Sequence, residues 1–314
     1  MDVREYSTLP VDELVSRIKR AKKKKNAVLL VHNYQRMEVQ QLADFLGDSL
    51  GLAREATRTD ADIIVFCGVD FMAETAKILN PDKKVLLPDH RADCPMARMI
   101  DAPLLTEAKR KYPGAVVVTY VNSTAEVKAL SDICCTSSNA IKVVKSLGDK
   151  QIIFTPDKNL AEYCRQHTGA DIIPWEGHCY VHDQFTTEDV KIALEMHPDA
   201  IFIAHPECRM EVLSIADHVA STTGMVNFVT DNQDEIREKG IIIGTEIGLV
   251  EQINTEYPDL PLYPLTSTAI CATQKLTNLA KVAWCIETQS NEIILDEEVR
   301  CRAYGAVKRM IDIS

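Results

Sequence analysis

Three stretches of the chain share one pattern of apolar and polar positions. Ala27-Val-Leu-Leu-Val-His32-Asn-Tyr34, Ala115-Val-Val-Val-Thr-Tyr120-Val-Asn122 and Ala200-Ile-Phe-Ile-Ala-His205-Pro-Glu207 each run apolar and then stop at a polar pair. An unbroken apolar run predicts a strand buried on both faces of a parallel sheet, with the polar pair at its carboxyl end. The alanines stand 88 residues apart (27 to 115) and then 85 (115 to 200), so one unit is used three times.

The segments between these strands carry helical periodicity. Residues 8–25 predict a first helix, capped by Thr8, with Pro10 in its first turn and Leu14, Val15 and Ile18 as its apolar stripe. The run Lys22 to Lys25 then sits at the helix end that favours cations. Leu42, Ala43, Leu46, Leu50 and Ala53 predict one long helix over 38–57, which places Ser49 in a helix interior. Further strands are expected at 62–68, 84–89, 132–135, 151–157, 171–175 and 240–246, and two helices near 274–287 and 296–313 close the chain. Strands alternating with helices predict the α/β class: three pseudo-threefold-related αβα sandwich domains, each with a small parallel sheet, around a central cavity. Their expected bounds are 1–105, 106–192 and 193–314, the last carrying the C-terminal helices.

Composition narrows the classes of function. The chain has 314 residues, 46% hydrophobic and 26% charged, and a net charge of −11. That is ordinary for a soluble globular protein, and no stretch approaches the roughly 18 apolar residues of a membrane helix. No secretory signal is visible at the N-terminus, so a cytoplasmic location is expected. The negative charge argues against a nucleic-acid partner, while a small anionic substrate remains compatible because helix N-termini and hydroxyls act locally.

Ten cysteines add a candidate metal centre. In a reducing compartment such a count points to metal binding or catalysis rather than disulfides. Each repeat supplies one cysteine after its last strand: Cys94, Cys179 and Cys271, spaced 85 (94 to 179) and 92 (179 to 271). Because ligands of parallel α/β sheets bind beyond the carboxyl ends of the strands, three such ends would face one cavity. Three converging thiolates suit a cubane iron–sulfur cluster with one iron left open, able to act as a Lewis acid. A zinc ion with His178 or His182 as fourth ligand is the alternative. Cys67, Cys134, Cys135, Cys164, Cys208, Cys285 and Cys301 read mostly as small buried hydrophobes.

A set of motifs spread over every repeat then adds up to a family likeness. His32-Asn-Tyr34, Gly47-Asp-Ser49, Tyr120-Val-Asn122, Thr136-Ser137-Ser138-Asn139, Pro156-Asp157, Gly177-His178-Cys179-Tyr-Val-His182, His205-Pro-Glu207-Cys208, Ser221-Thr222-Thr223-Gly224, Gly244-Thr245-Glu246 and Cys271-Ala-Thr273 together resemble the quinolinate synthase family, from about residue 25 to 280. The resemblance implies three pseudo-symmetric α/β domains around a three-cysteine [4Fe–4S] cluster. It implies a transferase that condenses iminoaspartate with dihydroxyacetone phosphate into quinolinate, phosphate and water on the way to NAD. It makes Cys94, Cys179 and Cys271 the cluster ligands and places His32, Ser49, Tyr120, Asn122, Ser137, His205, Glu207 and Thr222 around the substrates, with Tyr34 beside them. It also implies a functional link to an aspartate oxidase or dehydrogenase that supplies iminoaspartate. Asp93-Cys94-Pro95 departs from the small residues usual around the first ligand.

Residue chemistry suits that reaction. Condensation and loss of water need groups that exchange protons near neutrality, and His205 and Glu207, two apart on a strand, share one side and can act as a coupled base, with Tyr34 as a phenolic donor or acceptor. Ser137 and Thr222 sit where strands turn into helices, which favours anions as well as simple capping. A metal or metabolite sensor and a zinc hydrolase are the competing classes. The acid–base groups at the strand ends oppose the first, and three widely spaced cysteines oppose the second.

Overall fold

The computed structural model describes residues 2–313. Its twelve strands form three separate four-stranded sheets, all parallel. The first holds β1 (Ala27–His32), β2 (Phe45–Gly47), β3 (Ile63–Cys67) and β4 (Lys84–Leu86) in the order β2-β1-β3-β4. The second holds β5 (Val116–Tyr120), β6 (Ile133–Cys135), β7 (Ile152–Thr155) and β8 (Ile172–Pro174), ordered β6-β5-β7-β8. The third holds β9 (Ile201–Ala204), β10 (His218–Val219), β11 (Ile241–Gly244) and β12 (Leu262–Pro264), ordered β10-β9-β11-β12. The three repeats therefore share one topology, with the sequence-marked strand central in each.

Each central strand is buried because helices cover both faces. In the first repeat, Leu30, Ile64 and Phe66 pack to one side with Leu52, Ala56 and Phe71, while Leu29, Val31 and Val65 pack to the other with Leu14 and Ile18. The C-terminal helices cover more than their own repeat. Leu279–Thr288 lies against the N-terminal helix Val11–Lys24, and Glu297–Asp312 against Asp70–Leu79, Ala125–Lys128 and β6.

Several expected elements differ in detail. The long helix over 38–57 is instead a short helix Met37–Gln40, the edge strand β2 and a second helix Ser49–Arg58. The Asp44 carboxylate breaks the helical register by accepting the Leu29 N–H at 2.8 Å, and Asp132 and Asp217 accept from Val117 and Phe202 at the same distance. Ser49 is thus the first residue of a helix capped by Asp48, not an interior one. The helix expected over 8–25 starts at Val11 after a separate turn Val3–Tyr6. Thr8 does not cap it, because the Thr8 hydroxyl donates to the Glu5 carbonyl. Near the C-terminus, 274–287 divides into a 3-10 turn Gln274–Leu276 and a helix Leu279–Thr288 capped by Asn278.

Candidate functional site

The carboxyl ends of the three sheets open onto one cavity, where parallel α/β sheets hold their ligands. His32, Tyr34, Ser49, Cys94, Tyr120, Asn122, Ser137, Cys179, His205, Glu207, Thr222 and Cys271 all line it, although they are spread over 239 residues of sequence from 32 to 271. Asp48, Thr136, Thr273 and Gln274 join them, with an apolar wall from Val69, Phe71, Met72 and Val181.

Three cysteines, one from each repeat, meet at this cavity. None of the ten cysteines is in a disulfide, and the seven others stay out of the cavity. Burial pushes the Cys94, Cys179 and Cys271 thiols up, and the sulfurs are close enough that Cys179 feels both Cys94 and Cys271. Each precedes a short helical turn: Met96–Met99, Tyr180–Asp183 and Gln274–Leu276. Those turns aim backbone N–H groups at sulfur, from Met96 and Ala97 to Cys94, from His182 to Cys179 and from Gln274 to Cys271. Buried thiols that repel one another, each furnished with amide donors, suit thiolates gathered on a cation, so this residue set fits a three-cysteine metal cluster. His178 lies outside the cavity. A sulfur of Cys179, a His182 nitrogen and a Glu207 oxygen lie within 4.8 Å of one another, yet His182 Nε2 is already bonded to Thr245 and Nδ1 faces Glu207 itself.

Those two nitrogens define an acid–base chain. Glu207 Oε2 lies 2.6 Å from His182 Nδ1, His182 Nε2 is 2.9 Å from Thr245 Oγ1, and Thr245 Oγ1 is 2.8 Å from the Tyr34 hydroxyl. All three repeats contribute to it. Burial opposes ionised Glu207, but His182, His205 and a hydrogen bond from the Tyr120 phenol outweigh it and hold the carboxyl below the usual range. Burial, and then Glu207, keep Tyr34 and Tyr120 protonated. In the tautomer that carries its proton on Nδ1, facing Glu207, His182 presents Nε2 as an acceptor to Thr245, whose oxygen can in turn accept from Tyr34.

His205 stands one step aside. Its Nδ1 is 3.7 Å from Glu207 Oε2, and its ring stacks on His182 with centroids 4.4 Å apart. The partner of Glu207 is therefore His182 more than His205, since the two-residue spacing lets the Glu207 N–H bond back to His205 Nδ1 at 3.3 Å. His32 repeats that arrangement with the Tyr34 N–H at 3.2 Å. Burial lowers His32 to about 4 and His205 to about 3, so both rings are neutral. With Nδ1 accepting, each carries its proton on Nε2 and is a neutral donor.

Three hydroxyls in equivalent places line the same cavity. Ser49, Ser137 and Thr222 each follow the edge strand of their repeat, and Ser49 and Thr222 begin helices capped by Asp48 and Ser221. Behind them Ser138 Oγ donates to Asp48 at 2.9 Å and lies 3.0 Å from Ser221 Oγ, joining the three repeats. Helix N-termini with hydroxyls are anion sites. Thr245, Asp48 and the relay role of His182 were not assigned from sequence. The shared Gly-Thr-Glu and Gly-Asp-Ser motifs were their only signal.

The residues also match known proteins. The sequence profile of the family described as quinolinate synthetase A protein matches residues 16–312. A quinolinate synthase of Thermodesulfovibrio yellowstonii is 50% identical over 304 residues, which cover 96% of this chain and 99% of that protein. Those of Methanosarcina barkeri and Pyrococcus furiosus are 52% and 48% identical over 301 and 306 residues, covering 96% and 97% of this chain and 98% and 99% of theirs. The chain belongs to the quinolinate synthetase A family.

Proposed function

We propose that this enzyme is a transferase that condenses iminoaspartate with dihydroxyacetone phosphate into quinolinate, phosphate and water for NAD synthesis. The observation that carries the reading is the meeting of three thiols, three hydroxyls and one acid–base chain in a single cavity. Cys94, Cys179 and Cys271 would hold a [4Fe–4S] cluster. When bound, a cluster with one iron free of cysteine supplies a Lewis acid for substrate oxygens.

The chain's own groups supply the rest. Ser49, Ser137 and Thr222 would receive the phosphate and carboxylates. Neutral His32 and His205, with the Asn122 amide, would donate to substrate oxygens, and the Tyr120 oxygen, whose proton goes to Glu207, would present lone pairs beside them. In the relay every proton points towards Glu207, leaving the Tyr34 oxygen with lone pairs for a substrate proton, and reversal returns that proton to a departing hydroxyl. Val69, Phe71 and Met72 keep that side of the cavity apolar, which strengthens the polar contacts opposite. An aspartate oxidase or dehydrogenase would supply the imine. A cytoplasmic site suits this substrate pair, and no helix among the described residues is long and apolar enough to cross a membrane.

The test is quinolinate formation by the anaerobically purified enzyme given iminoaspartate and dihydroxyacetone phosphate. Wild type should turn over, and Glu207→Gln should keep its iron while losing about 10²–10⁴ in rate. Retained turnover in the variant rejects the base.

A further inference from the structure

The three cysteines occupy equivalent places but are not equivalently held. Among the described residues, the donors shown at Cys94 and Cys179 are backbone N–H groups. Around Cys271 the loop is gripped from outside. Its own N–H donates to Glu246 Oε1 at 3.0 Å, its sulfur lies 3.5 Å from the Thr273 hydroxyl, and the next N–H, of Ala272, donates to the Tyr180 phenol oxygen at 2.7 Å. Tyr180 follows Cys179 directly, so one ring spans from the ligand loop of the second repeat to that of the third. It is 36% exposed and packs in no core cluster.

The phenol has one proton, with two acceptors in reach. The Ile270 carbonyl is at 3.4 Å, near the limit of a hydrogen bond, and the other acceptor is the Cys271 sulfur. A thiolate is the stronger of the two because charged acceptors roughly double such a bond. We propose that Tyr180 is a positioning residue of the sulfur site: its hydroxyl straps the second repeat to the Cys271 loop and donates its proton to the Cys271 sulfur. This rests on the cluster reading above. Its consequence is an asymmetric centre, in which Cys271 has hydroxyl donors that draw charge from its sulfur and that Cys94 and Cys179 lack among the described residues. Hydrogen bonds to ligand sulfurs favour the reduced, more negative state and raise the potential.

The test uses the full-length enzyme with its iron and sulfide measured first, wild type against Tyr180→Phe, both reconstituted anaerobically. The midpoint potential of the variant should fall, and iron loss to a chelator should quicken about tenfold, the equivalent of one charge-assisted hydrogen bond. A cluster-loaded variant with an unchanged potential overturns the inference even if iron leaves faster, because a mere prop between repeats would not set the potential. A wild type without iron and sulfide overturns the cluster reading itself, and the inference with it.

Discussion

Asp44, Asp132 and Asp217 make one bond three times, whereas the strand tips beside them hold His32 and Tyr34, Tyr120 and Asn122, and His205 and Glu207 in the same places. The first set keeps three sheets alike. The second uses that likeness to aim different groups at one point. The cavity thus combines groups placed alike in every repeat, the three cysteines and the three hydroxyls, with an acid–base chain that differs from repeat to repeat and can give a proton direction. That contrast separates changes that should hurt chemistry from changes that should hurt folding.

The largest effect belongs to the acid–base chain. His182→Asn breaks the relay between Glu207 and Thr245 but keeps the backbone N–H aimed at Cys179, so kcat should fall about 10²–10³ with iron content unchanged. Loss of iron together with rate would instead make His182 part of the metal site.

The neutral histidines give a pH signature. Their folded pKa values, about 4 for His32 and about 3 for His205, lie below the unfolded value of about 6.5, so the unfolded chain takes up protons first as pH falls. Stability should drop by about 1.4 kcal/mol per pH unit for each histidine from pH ~6 towards ~4. Depressed Glu207 adds to the loss below the ordinary carboxyl range, because its stabilisation is present above the unfolded pKa and is lost on acidification. Denaturant titrations across this range check it, and His205→Gln should flatten the slope.

The shared aspartates should respond in stability alone. Asp217→Ala strands the Phe202 N–H and should cost about 1–3 kcal/mol, with KM and kcat of the remaining folded enzyme unchanged. The smallest effect is Ser138→Ala, which loosens the junction behind Ser49, Ser137 and Thr222. The KM for dihydroxyacetone phosphate should rise about threefold with kcat held, measured by steady-state kinetics.

Strand tips and cysteines are legible in sequence because an apolar run ending in polar residues has one physical meaning, and equal spacing multiplies it. The strand β2 was hidden by Leu42, Leu46 and Leu50, whose spacing also fits a helix; the repeated aspartate, seventeen residues after the alanine that opens each repeat (27 to 44, 115 to 132, 200 to 217), is the signal that separates the two. The relay was less legible, since His182 and Thr245 are 63 residues apart and meet only when two repeats face each other. Glu207 pairing with His182 rather than His205 turns on a difference of about an ångström, between 2.6 and 3.7 Å.

The chemistry of this cavity turns on whether Cys94, Cys179 and Cys271, one thiol from each repeat, hold one cluster between them. Iron and acid-labile sulfide, measured on anaerobically purified wild type and on Cys94→Ala, Cys179→Ala, Cys271→Ala and Cys208→Ala, test it directly. Wild type and Cys208→Ala should carry a cluster and the other three variants none. Stoichiometric zinc without sulfide, or loss of the cluster in Cys208→Ala, would contradict it.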